Sequence, residues 1–314
     1  MVDNNNPPYL NLPKEEAIAR YVVDLFEDSK DRLWMGTMTK GAICLDNGRL
    51  NYLNQNIGLP NNTVSCIIED SLGFIWLGTH GGLCRYDGST LLHFGQNEGL
   101  NNVRISALLI DRNNTLWVGT WGGIYRYSNG LFVHFSIPNP PLFFEPYQQT
   151  MDWVTTLKED QQGNIWIARD GYGLCKFDGE AFTFYTKNEG LPSNNVQSVE
   201  EGNNGEMWIG CRVTQRDHPD PNQRKGTGGL CLLKEESIQT FDALKGLHNN
   251  DVYTIKKDKD NTVWVAATGL GLYCFDGSGH KLIEGTDRMD LTYSMGIQAI
   301  CRDHTNLLLS LIHI

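Results

Sequence analysis

Residues 64–79 read Val64-Ser65-Cys66-Ile67-Ile68-Glu69-Asp70-Ser71-Leu72-Gly73-Phe74-Ile75-Trp76-Leu77-Gly78-Thr79, and variants of this segment recur along the chain. The copies centre on a tryptophan followed by an apolar residue and then glycine or alanine: Trp34, Trp76, Trp117, Trp166, Trp208 and Trp264. The first two of these tryptophans are 42 positions apart. Residues 297–303 resemble 64–70 and place Leu309 where a seventh tryptophan would stand. A repeat of this length indicates tandem copies of one structural unit.

Each copy contains four short segments with the composition of β-strands, which in the second copy are 64–68, 74–79, 83–86 and 91–94. Turn-forming residues separate them, and we expect Asp87-Gly88 to form a type I′ hairpin turn. The second segment is apolar on both alternating faces, so both faces of the sheet must be covered. A ring of sheets, each packed between two neighbours, meets this requirement. The sequence therefore predicts an all-β fold, a β-propeller of about seven four-stranded blades whose last blade is incomplete in this chain.

We expect a single propeller domain over 22–314, with blades near Trp34, Trp76, Trp117, Trp166, Trp208, Trp264 and Leu309. The N-terminal segment 1–21 contains Tyr9-Leu10, which could supply a strand that closes the ring. Few residues follow Leu309, so the natural protein could be longer than this chain, and the sequence leaves that question open.

Composition narrows the classes of partner. The net charge of -11 argues against a nucleic-acid surface, which is usually basic. No apolar stretch is long enough to span a membrane, and no signal peptide is recognisable. The eight cysteines mostly follow the repeat, so we expect unpaired, buried thiols in different blades. We also expect no cofactor and no metal site, and the recurring aspartates are interpreted as turn residues.

The repeats resemble the two-component regulator propeller family, whose unit reads approximately V-x-x-I-x-x-D-x-x-G-x-L-W-x-G-T, then G-L-x-x-Y-D-G and a closing G-L-P-x-N. The closing motif occurs here as Gly58-Leu59-Pro60-Asn61-Asn62 and Gly190-Leu191-Pro192-Ser193-Asn194. The resemblance implies the sensing portion of a hybrid histidine kinase, outside the cytoplasm, with a glycan or other nutrient as ligand. No kinase module can be placed in the chain, and the absence of a signal peptide favours the cytoplasm. The compartment therefore stays open.

Strand alternation places the bend between the second and third strands on the same rim as the crossing to the next blade. Two insertions fall on this rim, at 138–151 and at 212–228. Because binding residues concentrate on loops held by a rigid scaffold, we expect a ligand there. The candidate ligand-binding residues are His80, Trp121, Phe143, Phe144, Tyr147, Arg169, Asp170, Tyr172 and Arg212. Purely structural roles are the alternative. The aromatic residues of the 138–151 insertion could cap the core, and Arg169 and Asp170 could form a surface ion pair.

Three functions are compatible with this pattern. The first is a non-catalytic sensor that binds a small molecule or glycan. The second is a platform for a protein partner, such as a histidine kinase module, with Trp121 and Phe143 as interface anchors. The third is an enzyme like the streptogramin lyases, which would need a histidine base beside a metal, for which His80 and His218 are the available residues. We expect the first and expect no catalytic residues.

Overall fold

The computed structural model describes residues 21–141, 152–212, 228–241, 251–267, 270–276, 279–283, 286, 297–303 and 308–310. Across these ranges the chain forms antiparallel β-sheets, of which six have four strands and one has two. Each four-stranded sheet takes four consecutive strands and pairs them in chain order. The sheets are the blades of a β-propeller, so the predicted fold class is confirmed.

The strands are grouped blade by blade. Blade 1 contains β1 (Val22–Glu27), β2 (Leu33–Thr37), β3 (Ala42–Asp46) and β4 (Arg49–Leu53). Blade 2 contains β5 (Val64–Glu69), β6 (Ile75–Thr79), β7 (Gly82–Tyr86) and β8 (Leu91–Phe94). Blade 3 contains β9 (Ile105–Ile110), β10 (Leu116–Thr120), β11 (Gly123–Ser128) and β12 (Leu131–Phe135).

Blade 4 contains β13 (Val154–Glu159), β14 (Ile165–Arg169), β15 (Gly173–Phe177) and β16 (Phe182–Tyr185). Blade 5 contains β17 (Val196–Glu201), β18 (Met207–Cys211), β19 (Gly229–Lys234) and β20 (Ser237–Thr240). Blade 6 contains β21 (Val252–Lys257), β22 (Val263–Ala267), β23 (Gly271–Phe275) and β24 (His280–Leu282). The two-stranded sheet contains β25 (Ile300–Arg302) and β26 (Leu308–Ser310), and short 3₁₀ turns cover Gln55–Ile57 and Gln96–Glu98.

The predicted number of blades is wrong. The structure is a propeller of six four-stranded blades rather than about seven, because the segment expected to begin a seventh blade pairs only as β25 and β26. This small sheet lies between blade 6 and blade 1, where Ala299 and Cys301 pack on Val22 and Leu25 of β1. The segment with Tyr9-Leu10 lies outside the described residues, so its predicted role as a closing strand stays a prediction.

Both faces of each blade are buried against neighbouring sheets, as the apolar runs predict. Between blades 1 and 2, Trp34 packs in one cluster with Val64, Ile67 and Leu77. Trp76 joins the equivalent cluster between blades 2 and 3. Because apolar burial contributes about 25 cal/mol per Å², these inter-blade layers are the main source of stability.

The glycine two positions after the motif tryptophan is explained by close packing against the next blade. A Cβ atom added at Gly119 would lie 2.7 Å from Val154 Cγ1 in the first strand of blade 4. One added at Gly210 would lie 2.7 Å from Val252 Cγ1 in blade 6. These contacts are shorter than van der Waals separation, so a side chain is excluded unless the blades move apart.

The repeated aspartates stabilise turns, as expected, but they also bind the motif tryptophans. Asp28 Oδ1 accepts the backbone N–H groups of Lys30 and Arg32, both at 3.0 Å. Asp28 Oδ2 accepts the indole N–H of Trp34 at 2.7 Å. The same aspartate–indole bond recurs at 2.7–2.8 Å in four more blades, donated by Trp76, Trp117, Trp166 and Trp264. The spacing of six residues in the sequence reflects this bond across the hairpin.

The hairpin after β7 differs from the prediction. Tyr86 pairs with Leu91, and the N–H of Asp87 donates to Thr90 O at 3.3 Å, so the turn is centred on Gly88 and Ser89 rather than on Asp87 and Gly88. Asp87 Oδ1 accepts the backbone N–H groups of Ser89 and Thr90, and Gly88 has a φ of 101°. A type I′ turn on Asp87-Gly88 needs positive φ at both residues, and Asp87 does not have one; its carboxylate instead caps the turn one residue later.

None of the eight cysteines forms a disulfide and six of them are buried, so the prediction of thiols without disulfide bonds is confirmed. Burial raises the pKa of the thiols of Cys44, Cys84 and Cys175 to about 12. These thiols stay protonated at neutral pH and pack as small apolar groups.

Asp24 of β1 is an ionisable group between blades, and its Oδ2 accepts the backbone N–H of Ile67 at 2.7 Å. Burial raises its pKa from 3.8 to about 6. Between these two values the folded protein binds more protons than the unfolded chain, so this group lowers stability as pH rises from about 4 to 6. We expect Asp24→Asn to remove that part of the pH dependence, measured by urea unfolding at a series of pH values. An unchanged slope in the variant would contradict this assignment.

The first strands of successive blades contact one another, and β25 contacts both β21 and β1. The first strands therefore surround the axis of the ring, and the fourth strands lie at its outside. The bends after the second strands meet the crossings on one rim, since the N–H of His80 donates to Thr63 O and that of Gly123 donates to Asp152 O. We call this the crossing rim, and the rim with the aspartate turns the turn rim.

Candidate functional site

The central opening of the crossing rim is built from two positions in each of blades 1 to 5. The residue after the second strand donates its backbone N–H to the residue just before the axial first strand. The donor–acceptor pairs are Met38 with Tyr21, His80 with Thr63, Trp121 with Arg104, Asp170 with Trp153, and Arg212 with Asn195. These short bonds hold both positions at the mouth of the axial channel.

Aromatic and cationic side chains form a continuous stack around part of this opening. Arg104 Cζ lies 3.6 Å from the ring centroid of Trp121. Trp121 stacks on Trp153 with centroids 4.9 Å apart and an angle of 28° between the planes. Cation–π and offset-stacked contacts of this kind contribute about 0.5–1.5 kcal/mol each. The stack therefore joins blade 3 to blade 4 at the axis.

Arg212 extends the arrangement into blades 5 and 6. Its Cζ lies 6.0 Å from the centroid of Trp153 and 5.6 Å from that of Tyr253. Its Nη1 donates to Gln197 Oε1 at 3.4 Å. The Nε atom of Arg212 and the indole Nε1 atom of Trp153 are buried, and neither has a hydrogen-bond partner among the described residues. Two donors on neighbouring blades are thus left without acceptors.

His80 completes the arrangement from blade 2. Its ring meets Trp121 edge-on with centroids 6.0 Å apart. Burial, and then the positive charge of Arg104, lowers the pKa of His80. The imidazole is therefore neutral at pH 7 and can accept a hydrogen bond. We define the central-opening cluster as His80, Arg104, Trp121, Trp153, Arg212 and Tyr253.

Arg169 has a different setting from the one predicted. It is 2% exposed, and its guanidinium donates to Pro138 O at 2.9 Å and to Asp152 Oδ1 at 3.1 Å. It also lies over Tyr172, with Cζ 4.6 Å from the ring centroid. These contacts hold the start of the 138–151 insertion against blade 4. Arg169 therefore supports the rim, while its predicted contact with a ligand stays a prediction.

Of the other predicted residues, Asp170 is buried beside the axis, where its N–H donates to Trp153 O at 2.9 Å. Phe143, Phe144, Tyr147 and the alternative base His218 lie outside the described residues. The structure thus brings His80, Trp121 and Arg212 into one cluster and places Arg169, Asp170 and Tyr172 at its border in blade 4.

Sequence reasoning missed Arg104, Trp153 and Tyr253. The first two stand just before the first apolar residue of their blades, and Tyr253 stands one position after it. The sequence did contain a signal, because Trp153 is a tryptophan that lies outside the repeat motif. Comparing that position between copies would have revealed it.

The part of the chain that the structure describes contains no group of three or more His, Cys, Asp or Glu side chains placed to hold a metal ion. Within the same ranges, no helix has the length and apolarity needed to cross a membrane.

Fold and cluster together define a class, a β-propeller of four-stranded blades with an aromatic and cationic opening on one rim. The model of the two component regulator propeller repeat matches the chain five times, at residues 18–39, 58–81, 99–122, 190–212 and 246–269. The chain therefore carries the repeat that defines the two-component regulator propeller family. No curated protein is similar enough in sequence to count as a relative.

Solved structures with the same fold include extracellular domains of two- and one-component systems and an enzyme. The extracellular domain described as that of hybrid two component system BT3049 from B. thetaiotaomicron superposes with a TM-score of 0.72 at 20% identity, over 96% of this chain and 39% of that one. The extracellular domain described as that of one component system BT4673 from the same organism superposes with a TM-score of 0.67 at 18% identity, over 91% of this chain and 38% of that one. Virginiamycin B lyase from Staphylococcus aureus superposes with a TM-score of 0.66 at 11% identity, over 90% of this chain and 88% of that one. The chain thus spans about two fifths of the length of the two extracellular-domain chains.

Proposed function

We propose that this chain is a sensory, ligand-binding propeller without catalytic activity, and that it binds its ligand at the central-opening cluster. The observation that carries the proposal is the stack of Arg104, Trp121 and Trp153 continued by Arg212. The repeat of this family supports the sensory part, since similar folds occur in extracellular domains described as parts of two- and one-component systems.

The cluster has the composition and rigidity that a recognition site needs. Tryptophan, tyrosine and arginine dominate the energetics of recognition surfaces. The backbone bonds from Trp121 to Arg104 and from Arg212 to Asn195, at 3.0 and 2.8 Å, fix these side chains on the ends of packed strands. Because these contacts already hold the side chains in place, binding a ligand would cost little side-chain conformational entropy.

Thermal unfolding against a panel of oligosaccharides, amino acids and small carboxylates tests the binding function. A ligand at about 100 times its dissociation constant should add about 2.7 kcal/mol of stability. We expect Trp121→Ala to abolish the increase in melting temperature, because it removes the central ring of the stack. Phe74→Ala is the matched control. Phe74 also stacks against an arginine, with Arg85 Cζ 4.5 Å from its ring centroid, but it lies on the turn rim.

Two results would contradict the proposal. One is a stabilisation that persists in Trp121→Ala and disappears in Phe74→Ala, which would place the ligand on the turn rim. The other is chemical conversion of the bound compound, followed by mass spectrometry of the incubated mixture, which would make the protein an enzyme.

A further inference from the structure

We propose that the ligand of the central-opening cluster carries an oxyanion, such as a carboxylate, that accepts hydrogen bonds from Arg212 Nε and Trp153 Nε1. The inference rests on the proposed function, because it names the chemistry of the ligand at that same site.

The cluster is rich in donors and poor in acceptors. Arginine and the indole of tryptophan can only donate hydrogen bonds, and these two residue types supply Arg104, Arg212, Trp121 and Trp153. The hydroxyl of Tyr253 donates to Asp251 Oδ2 at 3.3 Å, and its oxygen can still accept. The hydroxyl of Tyr253 and the imidazole of His80 are thus the two members that can accept, against four side chains that only donate. A ligand that offers acceptor oxygens therefore matches the site better than one that offers donors.

Two of these donors belong to neighbouring side chains and have no acceptor among the described residues. Arg212 Nε and Trp153 Nε1 are both buried without a partner among the described residues, and Arg212 Cζ is 6.0 Å from the Trp153 ring centroid. Leaving a buried donor unsatisfied destabilises the folded protein. An ionised acceptor forms hydrogen bonds roughly twice as strong as a neutral one. An oxyanion between the two side chains would satisfy both donors and neutralise the guanidinium.

The carboxylates of the protein near the opening contact other groups, not Arg212 Nε or Trp153 Nε1. Asp152 pairs with Arg169 at 3.1 Å, and Asp251 lies beside the hydroxyl of Tyr253. Asp170 is buried with its backbone tied to Trp153. Because the whole chain carries a net charge of -11, an anion is attracted only where cations are concentrated locally. Arg104 and Arg212 provide that concentration at the opening.

Isothermal titration with matched pairs of compounds tests the inference. The probes are tri-galacturonate and neutral galactotriose, and a short dicarboxylate serves as an oxyanion outside a sugar. The wild-type protein should bind at least one oxyanion probe about 10-fold or more tightly than galactotriose. The dicarboxylate distinguishes a free carboxylate from one that must be presented on a sugar.

Four variants separate the effects of the charge, of the individual donors and of the fold. Arg212→Gln should remove the preference for the oxyanion, and Arg212→Lys, which keeps the charge but loses Nε, should weaken it. Trp153→Phe keeps an aromatic ring while removing the indole N–H, and should also weaken binding of the oxyanion. Arg126→Gln is the matched control, because Arg126 stacks on Trp117 at 5.2 Å away from the opening, and it should bind like wild type.

The outcomes distinguish the inference from the proposed function. Equal affinity for acidic and neutral probes, with binding lost in Trp121→Ala, would overturn the oxyanion assignment and leave the binding site standing. An oxyanion preference that survives in both folded Arg212 variants and in Trp153→Phe would also overturn it. Failure of both oxyanion probes, when the thermal panel yields a neutral ligand whose binding is lost in Trp121→Ala, would overturn the oxyanion assignment alone.

Discussion

Replacing Trp34 by alanine is expected to lower the free energy of unfolding by about 3–5 kcal/mol, which is the usual cost of removing a buried tryptophan side chain. The indole is 1% exposed and fills the layer between blades 1 and 2. Its removal leaves a cavity and also takes the donor from Asp28 Oδ2. The loss is a large part of the stability of a typical domain, about 5–15 kcal/mol. Urea unfolding followed by circular dichroism measures it.

Trp34→Phe is the control for this prediction. Phenylalanine keeps most of the apolar volume but cannot donate to Asp28, so we expect it to cost clearly less than alanine. If Trp34→Ala unfolds within about 1 kcal/mol of wild type, below the range for buried aromatic side chains, the inter-blade layer does not stabilise the ring as described.

The second large effect is expected for Gly119→Val. The Cβ position at Gly119 is 2.7 Å from Val154 Cγ1 and 3.1 Å from Ala107 Cβ, and both neighbours are buried. A valine would force blades 3 and 4 apart, and overpacking of this kind costs about 1–3 kcal/mol or more. A fall in the melting temperature and in the urea midpoint should follow.

Gly279→Ala provides the comparison, because a Cβ there has no atom within 4 Å. We expect it to unfold like wild type. Blades 4 and 6 carry Ala168 and Ala266 at the position of Gly119, so the site tolerates a methyl group where the next blade allows it. Wild-type stability in Gly119→Val would show that the close approach between blades is not a constraint.

Much of the fold followed from the sequence because the repeat carries local and tertiary information together. The four strands of the second copy were placed within one residue at each end, since turn residues bound each apolar run. The alternation of Phe74–Leu77 on two apolar faces predicted blades that are covered on both sides. The bond from Asp70 to Trp76 was visible as a spacing but was interpreted only as turn chemistry.

The number of blades could not be read from the motif count. Residues 297–303 match the start of a repeat, yet the pairing of β25 with β26 alone does not make a four-stranded blade. Similarly, Asp87-Gly88 looked like a two-residue turn because the sequence does not show that Asp87 caps Ser89 and Thr90.

The candidate site was predicted in part. The rim followed from strand alternation, and His80, Trp121 and Arg212 were singled out because they break the motif. Their contacts depend on which positions of different blades meet at the axis, and that is a property of ring geometry. For the same reason Trp153 was missed, and Arg169 was not recognised as a buried support for the insertion.

Hydrogen–deuterium exchange with a ligand found by the thermal panel tests the central claim most directly. If the central-opening cluster binds the ligand, exchange should slow at the amides of Trp121, Trp153 and Arg212 and stay unchanged in the turn at 111–115. Protection confined to the turn rim, with the crossing rim unaffected, would contradict the assignment of the site.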